Sequence, residues 1–194
     1  MMEAADPSRQ SHETDEILLA KVASRDQAAF EVLFRAYQKR LFCYLVGIVR
    51  DAAVAEELAC ETMTDVWRNA DTFQGRSRVS TWIFGIASNK AKTFMRRPQL
   101  QEADPEMTAR LEDPAPGPAD EIIRQELASS VRAALELLTP EHRQVVELTF
   151  MHGFSYQEIG QIVGCPVNTV KTRMFYAKRR LREVLSAIFS REVT

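Results

Sequence analysis

The chain has 194 residues and is poor in the side chains that catalysis and cross-linking use. Its only histidines, His12, His142 and His152, have no triad or metal spacing, and no Gly-rich phosphate loop is present. An enzyme is therefore the most distant reading, and no cofactor, metal or small-molecule substrate is implied. The three cysteines, Cys43, Cys60 and Cys165, form neither a CxxC pair nor a Cys/His cluster. That pattern fits reduced, mostly buried structural thiols of a cytosolic protein. No run reaches the roughly 18 apolar residues of a membrane helix. The first residues, MMEAADPSRQSHETDE, are polar and acidic and lack the basic start and apolar centre of a signal peptide, so positions 1–14 read as a disordered tail. Strand-like alternation is absent as well.

Helical periodicity is what remains, and it runs almost throughout. Asp15 to about Ser24 reads as a short helix with Ile17, Leu18, Leu19 and Val22 apolar, interrupted by Arg25-Asp26. Gln27 to Arg50 carries Phe30, Leu33, Phe34, Tyr37, Leu41, Tyr44, Leu45 and Ile48 on one broad face. Asp51 caps a third helix to Asn69, in which Glu57, Glu61 and Asp65 recur every four residues as one acidic ridge. A solvated face and a docking face for a basic partner both fit such a ridge. The turn-rich loop Thr72–Ser80, with Gly75, Arg76 and Arg78, opens a fourth helix, Thr81 to Arg97, where Trp82 and Phe94 interleave with Asn89, Lys90, Lys92, Arg96 and Arg97. Rings beside cations suit a single nucleic-acid strand, although Trp82 and Phe94 fit core packing as well.

Five of the eight prolines, Pro98, Pro105, Pro114, Pro116 and Pro118, fall in an acidic stretch, 98–120, that has too little apolar area to fold alone. The fold class is thus all-α: two small helical domains, 15–97 and 121–194, joined by a flexible Pro-rich acidic linker. In the second, Ile122, Ile123, Leu127, Val131, Leu135 and Leu138 mark an amphipathic helix. Thr139-Pro140 then starts another, with Val145, Val146, Leu148 and Phe150 as its core.

The last part, SYQEIGQIVGCPVNTVKTRMFYAKRRLR (155–182), reads as a helix-turn-helix. Ser155 and Glu158 form a capping box, Gly160 lets the two helices cross closely, Gly164 supplies the turn, and Val170 is the buried anchor. Val167, Val170, Met174, Ala177 and Leu181 face inward. Asn168, Thr169, Lys171, Thr172, Arg173, Phe175, Tyr176 and Arg179 stay outside, where Asn and Arg read base edges and Lys, Arg and Thr hold phosphates. The net charge of −2 hides this basic segment, because the charge is segregated along the chain.

Glu56 to Arg97 and Leu138 to Glu183, in that order across a linker of suitable length, resemble an extracytoplasmic-function sigma factor. The family is the compact two-domain kind of bacterial sigma factor. The resemblance covers about Asp15 to Leu185. It implies a transcription initiation factor that binds core RNA polymerase, directs it to promoters and helps open the duplex. By the same resemblance, Glu57, Glu61, Asp65 and Trp67 dock on the polymerase β′ coiled coil, with the β subunit as a further contact. Phe73, Gln74, Arg76, Ser77, Arg78, Asn89, Lys90, Arg96 and Arg97 become candidates for separating and holding the minus-ten strand. Ser155, Tyr156, Asn168, Thr169, Lys171, Thr172, Arg173, Tyr176 and Arg179 become candidates for the minus-thirty-five element. The family is usually held inactive by an anti-sigma factor, often membrane-bound, so a cytoplasmic location is implied, at the nucleoid when in holoenzyme.

The chain departs from the family at three points. Asn168 stands where Gly is common, Gly160 where Ala is usual, and Arg76 and Arg78 where an acidic residue often occurs. A stand-alone helix-turn-helix regulator with a helical sensor domain remains the rival reading, and it would bind duplex DNA without polymerase.

Overall fold

A computed structural model of the chain describes the backbone of residues 7–96, 130–131 and 133–191, and the side chains of 14–96, 130–131 and 133–186. The linker 98–120, Arg97 and most of the helix expected from Ile122 lie outside the described residues. Helices occupy almost all of what is described, with no strand among those residues.

Helix α1 spans Pro7–Ala23, eight residues ahead of the start expected at Asp15. Its first turns have no apolar stripe, so periodicity could not find them, whereas Pro7 at the first helical position is a start signal of another kind. Arg25 turns the chain with φ 67°, and the Asp26 carboxylate then accepts a hydrogen bond from the Ala29 N–H at 3.1 Å, opening α2 (Gln27–Val49). The device recurs at the next junction. Arg50 has φ 58°, and Asp51 accepts from the Val54 N–H at 3.0 Å to open α3 (Ala52–Asn69). A left-handed arginine is unfavourable by itself. At Arg25 tertiary contacts hold it, since the guanidinium donates to the Trp67 carbonyl at 2.7 Å and lies over the Trp67 ring. A 3-10 turn, Ala70–Thr72, and the loop 73–78 lead into α4 (Val79–Arg96).

These four helices close around Leu19, Val22, Leu33, Tyr37, Leu41, Tyr44, Met63, Ile83 and Phe84, all buried. The Tyr37 hydroxyl donates to Asp15 at 2.5 Å and pins α1 on α2. Burial, with the Asp15 carboxylate beside it, pushes that phenol well above its usual range. Ile17, expected in the core, is instead 52% exposed, because it sits on the side of α1 away from α2.

The second unit begins with a helical turn over 133–136 and continues through α5 (Pro140–Phe150), α6 (Tyr156–Val163) and α7 (Val167–Arg191). Thr139 caps α5 by accepting from the His142 N–H, with Pro140 in the first turn. Val145, Leu148, Ile159, Ile162, Val170, Met174 and Ala177 form its core. Phe150, expected inside, is 66% exposed, with Met151 beside it at 62%. Phe150 is the last residue of the helix, and the Lys178 ammonium lies 5.7 Å from its ring centroid.

The two units are in contact: α4 packs on α6 and α2 on α5. All three thiols are free. Cys43 and Cys165 are half-buried and Cys60 is exposed, which corrects the expectation of mostly buried cysteines. Spacing rules out a cluster but does not say which way a lone thiol points. Among the described residues no helix is long and apolar enough to cross a membrane.

Candidate nucleic-acid interface

The helix-turn-helix is built as its residues dictate. The Ser155 hydroxyl accepts from the Glu158 N–H, and Glu158 Oε2 accepts from the Ser155 N–H at 2.9 Å, so both halves of the capping box are present. These bonds and the nearby Arg78 hold the Glu158 carboxyl below its usual range, although burial acts the other way. Gly164 ends α6 in the left-handed region (φ 69°). A Cβ at Gly160 would stand 2.9 Å from the Cys165 carbonyl oxygen, so the close crossing does require glycine there. On α7, Val170, Met174 and Ala177 are buried, and Val167 and Leu181 half-buried.

The expected base-reading residues project from the other side. Asn168, Lys171, Thr172, Tyr176 and Arg179 are exposed; Thr169 and Arg173 are half-buried. Ser155 is exposed and Tyr156 half-buried at the mouth of the preceding helix. The Thr172 hydroxyl donates back to the Asn168 backbone carbonyl at 2.9 Å. Tyr176 stacks on His142 with its ring under the Arg179 guanidinium. Arg179 and Arg180 also face Glu183, at 3.8 and 3.4 Å.

The loop and α4 hold the second group. Phe73 packs on Trp82 with centroids 5.5 Å apart, and both are half-buried, so Trp82 is shared between core and surface. Gln74, Arg76, Asn89 and Arg96 are exposed, and Ser77 is half-buried, its hydroxyl donating to the Arg78 carbonyl. Arg78 is engaged across the unit boundary, its Nε 3.3 Å from Glu158 Oε1. Lys92, one turn beyond Ser88, donates to the Val163 carbonyl at 2.6 Å. Partial burial there, helped by the cations Arg96 and Arg173, lowers the affinity of this amine for its proton. Periodicity gave no sign of either cross-unit contact, because Arg78 lies in the loop ahead of α4 and Lys92 on the polar side of the helix.

The acidic ridge is a third group. Glu57 and Glu61 are exposed, Asp65 half-buried, and with Cys60, Thr64, Arg68 and Lys90 they line a shallow depression of ≈ 460 Å³. Lys90 lies inside it, 2.8 Å from Asp65 and 3.1 Å from Glu61. Those two carboxylates hold the Lys90 ammonium above its usual range, against an opposing effect of burial. Lys90 thus stands on the ridge and not, in this conformation, free beside Asn89. Trp67 is half-buried between Phe30, at 5.1 Å, and Arg25.

Comparison with known proteins gives the same division. Residues 33–100 match Sigma-70 region 2, and residues 128–181 match Sigma-70, region 4. The RNA polymerase sigma-H factor of Pseudomonas aeruginosa is 28% identical over 188 residues, 92% of this chain and 97% of that protein. The ECF RNA polymerase sigma-E factor of Escherichia coli is 29% identical over 187 residues, with the same coverage of both chains. Among solved structures, CnrH in complex with the cytosolic domain of CnrY superposes with a TM-score of 0.66 at 25% identity, over 90% of this chain and 98% of that one. The fold is therefore that of a two-domain sigma factor, with an acidic ridge on one unit and a basic reading helix on the other. The chain belongs to the extracytoplasmic-function sigma factors.

Proposed function

We propose that the chain loads onto core RNA polymerase through its acidic ridge and carries two promoter readers to the DNA. Glu57, Glu61 and Asp65, with Trp67 beside them, would dock on the β′ coiled coil, and a β-subunit contact would hold the second unit. Gln74, Arg76, Ser77, Asn89 and Arg96, with Phe73 and Trp82 as stacking surface, would take the unpaired minus-ten strand. Arg78 and Lys90 would join them once released from their present carboxylate partners, and Arg97 follows on the same helix. The exposed face of α7, from Asn168 to Arg179, would enter the major groove at the minus-thirty-five element, with Ser155 and Tyr156 on its flank. The nucleotide chemistry belongs to the polymerase and none to this chain.

The observation that carries this reading is the presence of both sigma-70 regions, in order, on one chain of −2 net charge. A weakly charged protein with one basic helix has too few phosphate contacts for tight solitary binding. Delivery by polymerase removes that need. An anti-sigma factor is the expected regulator, as CnrH is seen with a cytosolic domain of another protein. The exposed side chains Phe150 and Phe175, at 66% and 63%, each offer apolar surface for it. The protein would act in the cytoplasm, at the nucleoid while in holoenzyme, or at the inner membrane face if its regulator is anchored there. Gel filtration with sigma-free core polymerase tests the docking: the chain should co-elute with core. Elution apart from core at micromolar concentrations, together with tight binding to duplex DNA, would favour a stand-alone regulator.

A further inference from the structure

The turn between α1 and α2 is built on a residue that its backbone does not favour. The Asp26 N–H donates to the Lys21 carbonyl at 3.1 Å, and the Arg25 N–H donates to the Val22 carbonyl at 2.8 Å. These are the paired bonds of a helix end whose pivot is left-handed. Arg25 is that pivot, at φ 67°. Glycine takes this conformation without steric cost, whereas a residue with a Cβ does not. The strain is offset only if the guanidinium makes contacts that glycine cannot make.

Those contacts converge on one residue of α3. Arg25 Nη1 donates to the Trp67 carbonyl at 2.7 Å, and the guanidinium carbon lies 5.6 Å from the centre of the Trp67 ring. Phe30 of α2 packs on the same ring, with centroids 5.1 Å apart. Trp67 is therefore held by its backbone and by its ring. Its carbonyl belongs to the last turn of α3, among the groups that a helix end leaves short of internal partners. A cation at that end also meets the negative pole of the helix dipole. Asp65, the last carboxylate of the ridge, stands two residues earlier in the same turn, and its carbonyl accepts from the Asn69 side-chain amide at 2.9 Å. The Thr72 hydroxyl then closes the following 3-10 turn on the Asn69 carbonyl at 2.7 Å. The end of the ridge is thus set by side chains, one of which comes from a turn about 40 residues earlier in the chain.

We propose that Arg25 is a positioning residue for docking on core polymerase: by holding Trp67 at its carbonyl and its ring, it fixes the last turn of α3 and with it the end of the acidic ridge. It acts through α3 and makes no contact of its own with the polymerase. The proposal rests on the reading of α3 as the docking helix, and the experiment keeps the two apart.

Two full-length variants test this. Arg25→Gly removes the side chain and suits the left-handed backbone, so the turn itself is not penalised. Arg25→Lys keeps a cation that can reach the carbonyl but loses the planar guanidinium. Titration of labelled chain with sigma-free core polymerase reads docking. Acrylamide quenching reads the Trp67 ring, in a Trp82→Phe background that leaves Trp67 as the one tryptophan of the chain. Arg25→Gly should keep the parent's helicity by circular dichroism, expose Trp67 to quencher and weaken core binding about two- to fivefold, the size of one exposed cation–π contact. Arg25→Lys should fall between Arg25→Gly and the parent in both readings. Core affinity at the parent level while Trp67 becomes more accessible would overturn the proposal, because the tether would then serve the fold alone. Weaker core binding with unchanged quenching would also overturn it, because Arg25 would then touch the polymerase directly. If Arg25→Gly does not fold, Arg25→Lys decides by the same two readings. The Glu61→Arg and Asp65→Arg double variant separates the two levels. If it retains core affinity, the docking reading fails; if it loses affinity while Arg25→Gly does not, only the role of Arg25 fails.

Discussion

The Lys90 ammonium lies 2.8 Å from the Asp65 carboxylate, joining a cation expected on the promoter strand to a carboxylate expected on polymerase. Lys90 also reaches Glu61 at 3.1 Å, so one ammonium neutralises part of the ridge. The two faces of the first unit are thereby coupled. A basic partner docking at the ridge would displace Lys90 and free its ammonium for DNA.

Lys90→Ala should therefore tighten binding to core polymerase and slow promoter opening. The pair is partly exposed, with 21% and 34% of the two side chains accessible, so it is worth at most about 1 kcal/mol. That corresponds to a gain in core affinity of up to about fivefold. Titration of labelled chain with core measures it. A weaker complex would place Lys90 itself on the docking surface.

Reversing the ridge is the stronger perturbation. The double variant Glu61→Arg and Asp65→Arg should abolish the complex with core while leaving helicity by circular dichroism at the parent level, since Glu61 is exposed and Asp65 half-buried. An unchanged affinity for core would remove these carboxylates from the interface.

Lys171→Ala and Arg173→Ala should lower promoter recruitment and leave core binding intact. Lys171 is exposed and makes no contact that the fold requires. Arg173 is half-buried with its guanidinium 4.0 Å from the Cys165 sulfur, so a small fall in stability is expected for that variant alone. Electrophoretic mobility of holoenzyme on promoter fragments, set against co-elution with core, separates the two effects. Loss of core binding would contradict the division of labour between the units.

Much of this arrangement was legible in the residues, and the reason is local. Ser155 with Glu158, Thr139 with Pro140, Asp51, and Gly164 at φ 69° each announce a helix end by chemistry that acts within a few residues. The inward stripe of α7 follows from spacing alone. What was not legible depends on partners distant in sequence. Glu147 is buried against Gly47, 100 residues earlier, a contact that spacing along one helix cannot show. Phe150 reads as core but is the last residue of α5 and stays exposed, with Lys178 of α7 over its ring. Lys90 reads as a free cation because its ridge partners lie on a different helix. The early start of α1 lacked an apolar stripe, and only Pro7 marked it.

Acid should loosen the contact around His152. This imidazole is packed on Tyr44 and Phe84. Burial, with the Arg40 guanidinium adding to it, pushes its pKa down from 6.5 to about 4. The unfolded chain takes up a proton near pH 6.5 and the folded chain does not until about pH 4. Between those values the unfolded state binds more protons, so this group's contribution to stability is lost as pH falls through that window. His152→Phe removes the titration and keeps a ring in the same cage. Its melting temperature should gain on the parent as pH is lowered from about 7 to about 5. A difference that does not change with pH would mean that His152 is not held neutral by its surroundings.

The most direct test of the central claim is run-off transcription with sigma-free core polymerase and a promoter library, with and without the chain. The sigma reading predicts promoter-specific transcripts that appear only when the chain is present, and that disappear with the Glu61→Arg and Asp65→Arg double variant. No promoter-specific transcript, alongside tight binding of the free chain to duplex DNA, would contradict it.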